Sequence, residues 1–88
     1  MVINYKDNLF YIGDYADPDG YLKTGLVDGV ISMDSTVVKK EFGGRGYAAE
    51  LTKAVIEYAK EEGYKIKPVC SYSVRYFEKN PELKDLLA

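Results

Sequence analysis

The 88-residue chain contains no histidine, no tryptophan and a single cysteine. Each absence removes a class of chemistry. Without histidine, one chain can assemble neither a Cys/His zinc cluster nor a Ser-His-Asp or Cys-His hydrolytic triad, and no metal site is expected. Cys70 has no second thiol to pair with, so a reducing compartment, and hence the cytoplasm, is the expected setting. Apolar runs extend only a few residues, so no membrane partner is expected, and the N-terminus carries no apolar signal core. Neither sign of charge dominates: 12 Lys and Arg stand against 14 Asp and Glu, a formal net charge of -2, which gives no bulk attraction to nucleic acid.

What is present is ordinary for a small globular protein: 47% apolar and 30% charged residues. The length predicts one domain over residues 1–88, burying roughly 60% of the surface its unfolded chain exposes, with a monomer as the default. The charge is uneven along the chain. Residues 1–38 hold Lys6 and Lys23 against six aspartates, whereas residues 39–88 hold ten bases and eight acids. Lys39, Lys40 and Arg45 gather around a glycine-rich run, either as scattered surface cations or as a small anion-facing patch.

Periodicity and turn chemistry predict the elements. Residues 8–13 read as a strand, residues 16–20 (Ala-Asp-Pro-Asp-Gly) as a turn, and residues 21–27 as a second strand. Asp28-Gly29 is a two-residue hairpin signal leading to a third strand over 30–38. From residue 46 the period changes. Ala48, Leu51, Thr52, Val55, Ile56 and Ala59 form the apolar stripe of an amphipathic helix, stopped at Gly63. Residues 64–70 read as a strand in which Pro68 indicates an edge or an interrupted pairing. Ser71 is the expected N-cap of a helix to about Lys79, and Asn80-Pro81 ends it before a last short turn. The predicted class is α+β: a mixed, mostly antiparallel sheet in the order β-β-β-α-β-α, with one long amphipathic helix packed on it. The strand–helix–strand unit is expected to be a parallel crossover.

Chemistry concentrates between the third strand and the long helix, in Phe42-Gly43-Gly44-Arg45-Gly46-Tyr47-Ala48-Ala49. Three glycines permit turn geometries that a Cβ would forbid and leave backbone N–H groups facing outward at a helix N-terminus, where phosphate is favoured. Arg45 can add a charge-assisted contact. The same glycines also suit a tight connection that binds nothing. A Walker loop is absent. Gly44, Gly46 and Ala49 fit G-x-G-x-x-A, but the following strand ends in Val69-Cys70 rather than in an acid, and the chain lacks the length of a doubly wound domain.

Gly46 and Ala48 also match the last positions of the pyrophosphate loop R/Q-x-x-G-x-G/A. With Glu41-Phe42-Gly43-Gly44-Arg45-Gly46, Ala54 to Ala59, Lys65 to Tyr72 and Tyr76 to Pro81, residues 36–87 resemble the short, stand-alone members of the GNAT N-acetyltransferase superfamily. Gly43 departs from the family pattern, standing where Arg or Gln is usual. The resemblance implies a splayed sheet whose wedge holds the pantetheine arm of acetyl-CoA. Val38, Lys39, Phe42, Gly43, Gly44, Arg45, Gly46, Tyr47 and Ala48 would be the cofactor-binding residues, and a backbone N–H near Val37 or Val38 the oxyanion donor.

Cys70 ends the strand at that wedge. A thiol with an ordinary pKa of about 8.5 can exchange a proton with a departing thiolate or act as an acyl acceptor, although a lone cysteine in an apolar strand also serves as a small core residue. Tyr72 and Tyr76 share a face of the last helix. The resemblance implies a tyrosine there that protonates the CoA sulfur, and Tyr76 is the better placed. Related short proteins often carry His where Ser35 stands; Asp34, Glu41 or water would have to replace it as base. The expected function is acetyl transfer from acetyl-CoA to an amine, whether small molecule, peptide or protein lysine. The alternative is a non-catalytic acyl-CoA-binding or protein-interaction module on the same fold.

Overall fold

Two tight turns whose residues accept positive φ lay out the first half of the molecule. In a computed structural model describing all 88 residues, Asp7 and Asn8 (φ 51° and 64°) join β1 (Asn4–Lys6) to β2 (Leu9–Asp14). Asp28 and Gly29 (φ 50° and 76°) join β3 (Asp17–Val27) to β4 (Val30–Val38). Both pairs match the right-handed twist of the strands they connect. A single turn of 3-10 helix (Lys40–Phe42) leads to α1 (Tyr47–Glu62), then β5 (Lys65–Pro68), α2 (Ser71–Lys79) and a final 3-10 segment (Pro81–Leu86). The sheet order is β1-β2-β3-β4-β5, antiparallel except for the parallel β4–β5 pair across the α1 crossover. No helix is long and apolar enough to cross a membrane.

The α+β class, the mixed sheet and the long helix agree with the sequence reading; three local readings need correction. A fifth strand, β1, precedes the predicted set, paired to β2 from Asn4–Tyr11 to Lys6–Leu9. The predicted turn at residues 16–20 is strand instead, and the chain reverses at Tyr15 and Ala16. Asp17 and Pro18 pair with Asp14 and Gly13, and a register irregularity beside Gly13 (φ 87°) accommodates the proline and the acids. Gly20 is no turn residue: it is buried in β3, paired with Ile12 of β2 and Val38 of β4. Finally, the cap of α2 is Cys70 and not Ser71, because the Cys70 sulfur accepts the Ser73 N–H.

Cross-strand partners divide the sheet into unlike faces. Phe10, Ile12, Leu22, Ile31, Met33 and Ile66 meet Leu51, Val55, Ile56 and Ala59 of α1 and Phe77 of α2 in one core cluster. The α1 stripe is the one read from the 3.6-residue period. Gly63 (φ 73°) closes the helix, with its N–H bonded to Ala59 and Lys60 and the Tyr64 N–H to Ala59 at 2.8 Å. On the opposite face Tyr11 and Tyr21 are half-buried, while Lys23, Val37 and Lys67 are exposed.

Candidate active site

The sheet opens at one place. β4 pairs with β5 from Val30–Lys65 to Met33–Pro68 and no further, whereas it stays beside β3 as far as Val38–Gly20. The N–H groups of Val69 and Cys70 both turn back onto the Met33 carbonyl, each at 3.0 Å, and this ends the pairing. Pro68 lies at the parting point, and its lack of an N–H is harmless there. A bulge marks the same level on the other side of β4: Lys23 faces Ser35 while Thr24 faces Met33, so Asp34 is the extra residue. Beyond it, one edge of β4 faces a fork rather than a strand. The Lys39 N–H bonds to the Asp19 carbonyl at 2.9 Å. Alternation along the strand then directs the Val37 N–H toward β3 and those of Thr36 and Val38 into the fork.

The glycine loop stands at the open end of this fork. Gly46 caps α1 in the left-handed region (φ 80°, ψ 14°) and no side chain caps the helix. The first intrahelical bond runs from Glu50 N–H to the Gly46 carbonyl at 3.0 Å, so the preceding N–H groups of the first turn have no intrahelical acceptor. No atom lies within 4 Å of a Cβ built at Gly44 or at Gly46, and residues 43–46 are exposed. Phe42 and Tyr47 stack across the loop with ring centroids 5.4 Å apart, and the Arg45 guanidinium sits 5.2 Å from the centre of the Phe42 ring. The Gly43 N–H is taken by the Lys40 carbonyl at 3.1 Å, so the predicted anion contacts fall to the N–H groups from Gly44 onward, an arrangement suited to phosphate with aromatic packing beside it. Lys39 is differently placed. Its ammonium is 2.9 Å from Asp17 and 3.6 Å from Asp19, and the bond to Asp17, outweighing partial desolvation and aided by both aspartate charges, raises its pKa. That cation clasps β3 to the end of β4. Lys40 and Glu41 are exposed on the 3-10 turn.

Cys70 lies at the inner end of the fork, half-buried and reduced. Its sulfur is 3.3 Å from Thr36 Oγ1 of β4 and 3.1 Å from Ser73 Oγ of α2, and it accepts the Ser73 N–H at 3.4 Å. Burial pushes the thiol up, but the hydrogen bonds from the Ser73 and Thr36 side chains and from the Ser73 and Tyr72 backbone together bring it below its ordinary value. Thr36 and Ser73 were not singled out by the sequence. Ser73 had a local signal, since cap and third helical residue lie three apart, but Cys at a cap is not a strong marker. Thr36, 34 residues from Cys70, had none. Tyr76 makes no hydrogen bond to the sulfur. It lines a groove of about 240 Å³ with Tyr72, Arg75, Lys79 and Asn80, its ring centroid 6.3 Å from that of Tyr72. Burial, reinforced by Tyr76 and opposed by Lys53, raises the Tyr72 pKa. Asp34 is exposed, and a Cβ on Gly25 would be 3.5 Å from its carboxylate, which places it along β3 rather than at the sulfur. No group of three or more His, Cys, Asp or Glu side chains is arranged to hold a metal.

Comparison with known proteins follows the same residues. The family model described as GCN5-related N-acetyl-transferase matches residues 10–86. The solution NMR structure of a "GCN5-like putative N-acetyltransferase" from Staphylococcus aureus superposes with a TM-score of 0.81 at 35% identity, covering 99% of this chain and 87% of that one. Among curated proteins nothing matches. A match over most of the chain, on a fold whose sheet parts beside an uncapped helix N-terminus, settles the family: the chain belongs to the GCN5-related N-acetyltransferases.

Proposed function

We propose that the protein uses acetyl-CoA to acetylate an amine. The observation that carries this reading is the coincidence, at one end of the sheet, of three features: the β4–β5 fork, the open glycine turn of α1 and a sulfur with a lowered pKa. A thioester donor has a chemistry for each. Its diphosphate suits the N–H groups of residues 44–48 and the Arg45 guanidinium. Its amide-bearing arm suits the free edge of β4 at Thr36 and Val38. Its acetyl end would lie by Cys70, with the Val38 N–H as donor to the tetrahedral oxyanion, a type of contact worth about 3 kcal/mol in other enzymes.

A thiol held below its ordinary pKa is better suited to accept the acetyl group than to donate a proton. In this reading the Cys70 thiolate attacks the thioester carbon, the carbon–sulfur bond to CoA breaks, and the CoA thiolate takes a proton from the Tyr76 phenol. The acceptor amine then attacks the Cys70 acetyl carbon, the bond to Sγ breaks and restores the thiolate, and the amine proton passes through water or a nearby base to the Tyr76 phenolate, restoring the phenol. Glu41 or an ordered water is proposed for that last role, since the Asp34 carboxylate lies along β3. The acidic first half of the chain favours a cationic amine, and the cytoplasm is the proposed setting.

Titration with acetyl-CoA, followed by amide NMR, is expected to move the signals of Gly43 to Ala48 and of Thr36 and Val38. Unchanged spectra at millimolar ligand would remove the reading. A panel of peptides, polyamines and small amines, with CoA release measured, separates catalysis from binding. A second reading, acyl-CoA binding without turnover, draws on the sulfur's partners, which are hydroxyls and backbone N–H groups with no carboxylate among them. Binding without release above hydrolysis would favour it. Tyr76→Phe is expected to slow release while leaving acetyl-CoA affinity in place.

A further inference from the structure

The two hydroxyls at Cys70 are not equivalent. Ser73 Oγ donates its one proton to the Cys70 carbonyl at 3.0 Å, a local bond within the first turn of α2. In that arrangement Ser73 can receive a proton from a neutral thiol but has none to give to a thiolate unless it abandons the carbonyl. Thr36 comes from another element, and its hydroxyl has no partner in the structure besides the sulfur at 3.3 Å. Its rotor is free to follow the protonation state of Cys70, accepting from S–H or donating to S⁻. The remaining bond to the sulfur is the Ser73 N–H at the head of the helix. Burial and hydrogen bonds are the leading influences on the sulfur's proton affinity.

We infer that Thr36 is a positioning residue for Cys70: its hydroxyl crosses the fork from β4, fixes the sulfur at the fork's inner end and donates to it once the thiol proton has left for solvent. The inference rests on the reading of Cys70 as the acetyl-accepting thiol, but its direct test needs no acetyl-CoA. Three consequences follow from the geometry. The bond ties α2 to the part of β4 that β5 has left, so the sulfur sits where the free edge begins. It is formed only in the folded chain, being 34 residues long in sequence. It strengthens when the sulfur ionises, because hydrogen bonds to charged acceptors are about twice as strong as neutral ones.

The test is the rate of Cys70 alkylation by iodoacetamide against pH, in the full chain, for wild type, Thr36→Val, Thr36→Ser and Ser73→Ala, with far-UV circular dichroism recorded for each. Val matches the shape of Thr without its hydroxyl. Thr36→Val is expected to move the midpoint of the profile upward by about 1 pH unit, a roughly tenfold loss of thiolate below the midpoint. Thr36→Ser is expected to keep the wild-type midpoint, and Ser73→Ala, which removes the other hydroxyl at the sulfur, to move it upward as well. A purely structural tie would lower stability in Thr36→Val and leave the midpoint alone; that result overturns the inference. If Thr36→Val fails to fold, Thr36→Ala compared with Thr36→Ser makes the same distinction. An acetyl-CoA arm separates the two levels. A shifted midpoint in a protein that never takes acetyl on Cys70 leaves Thr36 in place and removes the acetyl-transfer reading. Acetyl uptake with equal rate and pH dependence in wild type and Thr36→Val removes Thr36 and keeps that reading.

Discussion

At the scale of single residues, Cys70 joins folding to chemistry. As the cap of α2 its sulfur is held by the Ser73 N–H and two hydroxyls, which together outweigh burial and lower its pKa. The folded chain therefore releases this proton at a lower pH than the unfolded chain, and between the two values the unfolded state binds more protons. Stability from this group must rise with pH, reach its full value above the unfolded pKa near about 8.5, and fall away as pH drops through the folded value. Urea midpoints between about pH 6 and pH 9 are expected to show this rise in wild type and to lose it in Cys70→Ser. The chain has no histidine to titrate in this window.

At the scale of elements, α1 carries two duties at its two ends, and a glycine in the left-handed region serves each. Gly46 and Gly63 both have open space where a Cβ would go, so an alanine at either place costs backbone strain alone, about 1–2 kcal/mol. Gly63→Ala is expected to lower stability by about that amount and leave acetyl-CoA affinity unchanged. Gly46→Ala is expected to lose a similar amount of stability and also to weaken binding, measured by calorimetry, because it disturbs the N–H groups of the first turn. Between those ends the helix is held by its stripe. Leu51 is fully buried against the sheet, and Leu51→Ala is expected to cost about 2–5 kcal/mol in chemical denaturation.

At the scale of the whole molecule, both helices meet the same core face of a five-stranded sheet, and the fork at its β4–β5 boundary is the place where a ligand can enter without disturbing that core. Ligand binding to the folded state alone raises stability by about 2.7 kcal/mol at 100 times the dissociation constant. In a domain of this size that corresponds to a rise of roughly 10 °C or more in Tm. A thermal scan with acetyl-CoA at that excess is expected to show it, and an unmoved Tm would count against binding at the fork. On the opposite face Lys23, Val37 and Lys67 are exposed.

Much of this architecture was already written in local chemistry. The α1 stripe, its stop at Gly63, the Asp28-Gly29 hairpin and the whole of β4 are set by periodicity and by residues that tolerate positive φ, and both signals act over a few positions. The glycine loop was legible as a tight strand-to-helix turn for the same reason. Where neighbours decide, the sequence misled. Asp17 to Gly20 has the composition of a turn, yet pairing with β2 and β4 makes it strand. The cap of α2 moved from Ser71 to Cys70 because the sulfur is held from β4 as well as from within the helix. Thr36 carries no mark in one dimension; only the parting of β4 from β5 brings its hydroxyl to the thiol. Short-range torsional preference and burial period are properties of a segment, whereas the meeting of a strand hydroxyl with a distant sulfur depends on where the sheet stops pairing, and that is settled by the folded chain as a whole.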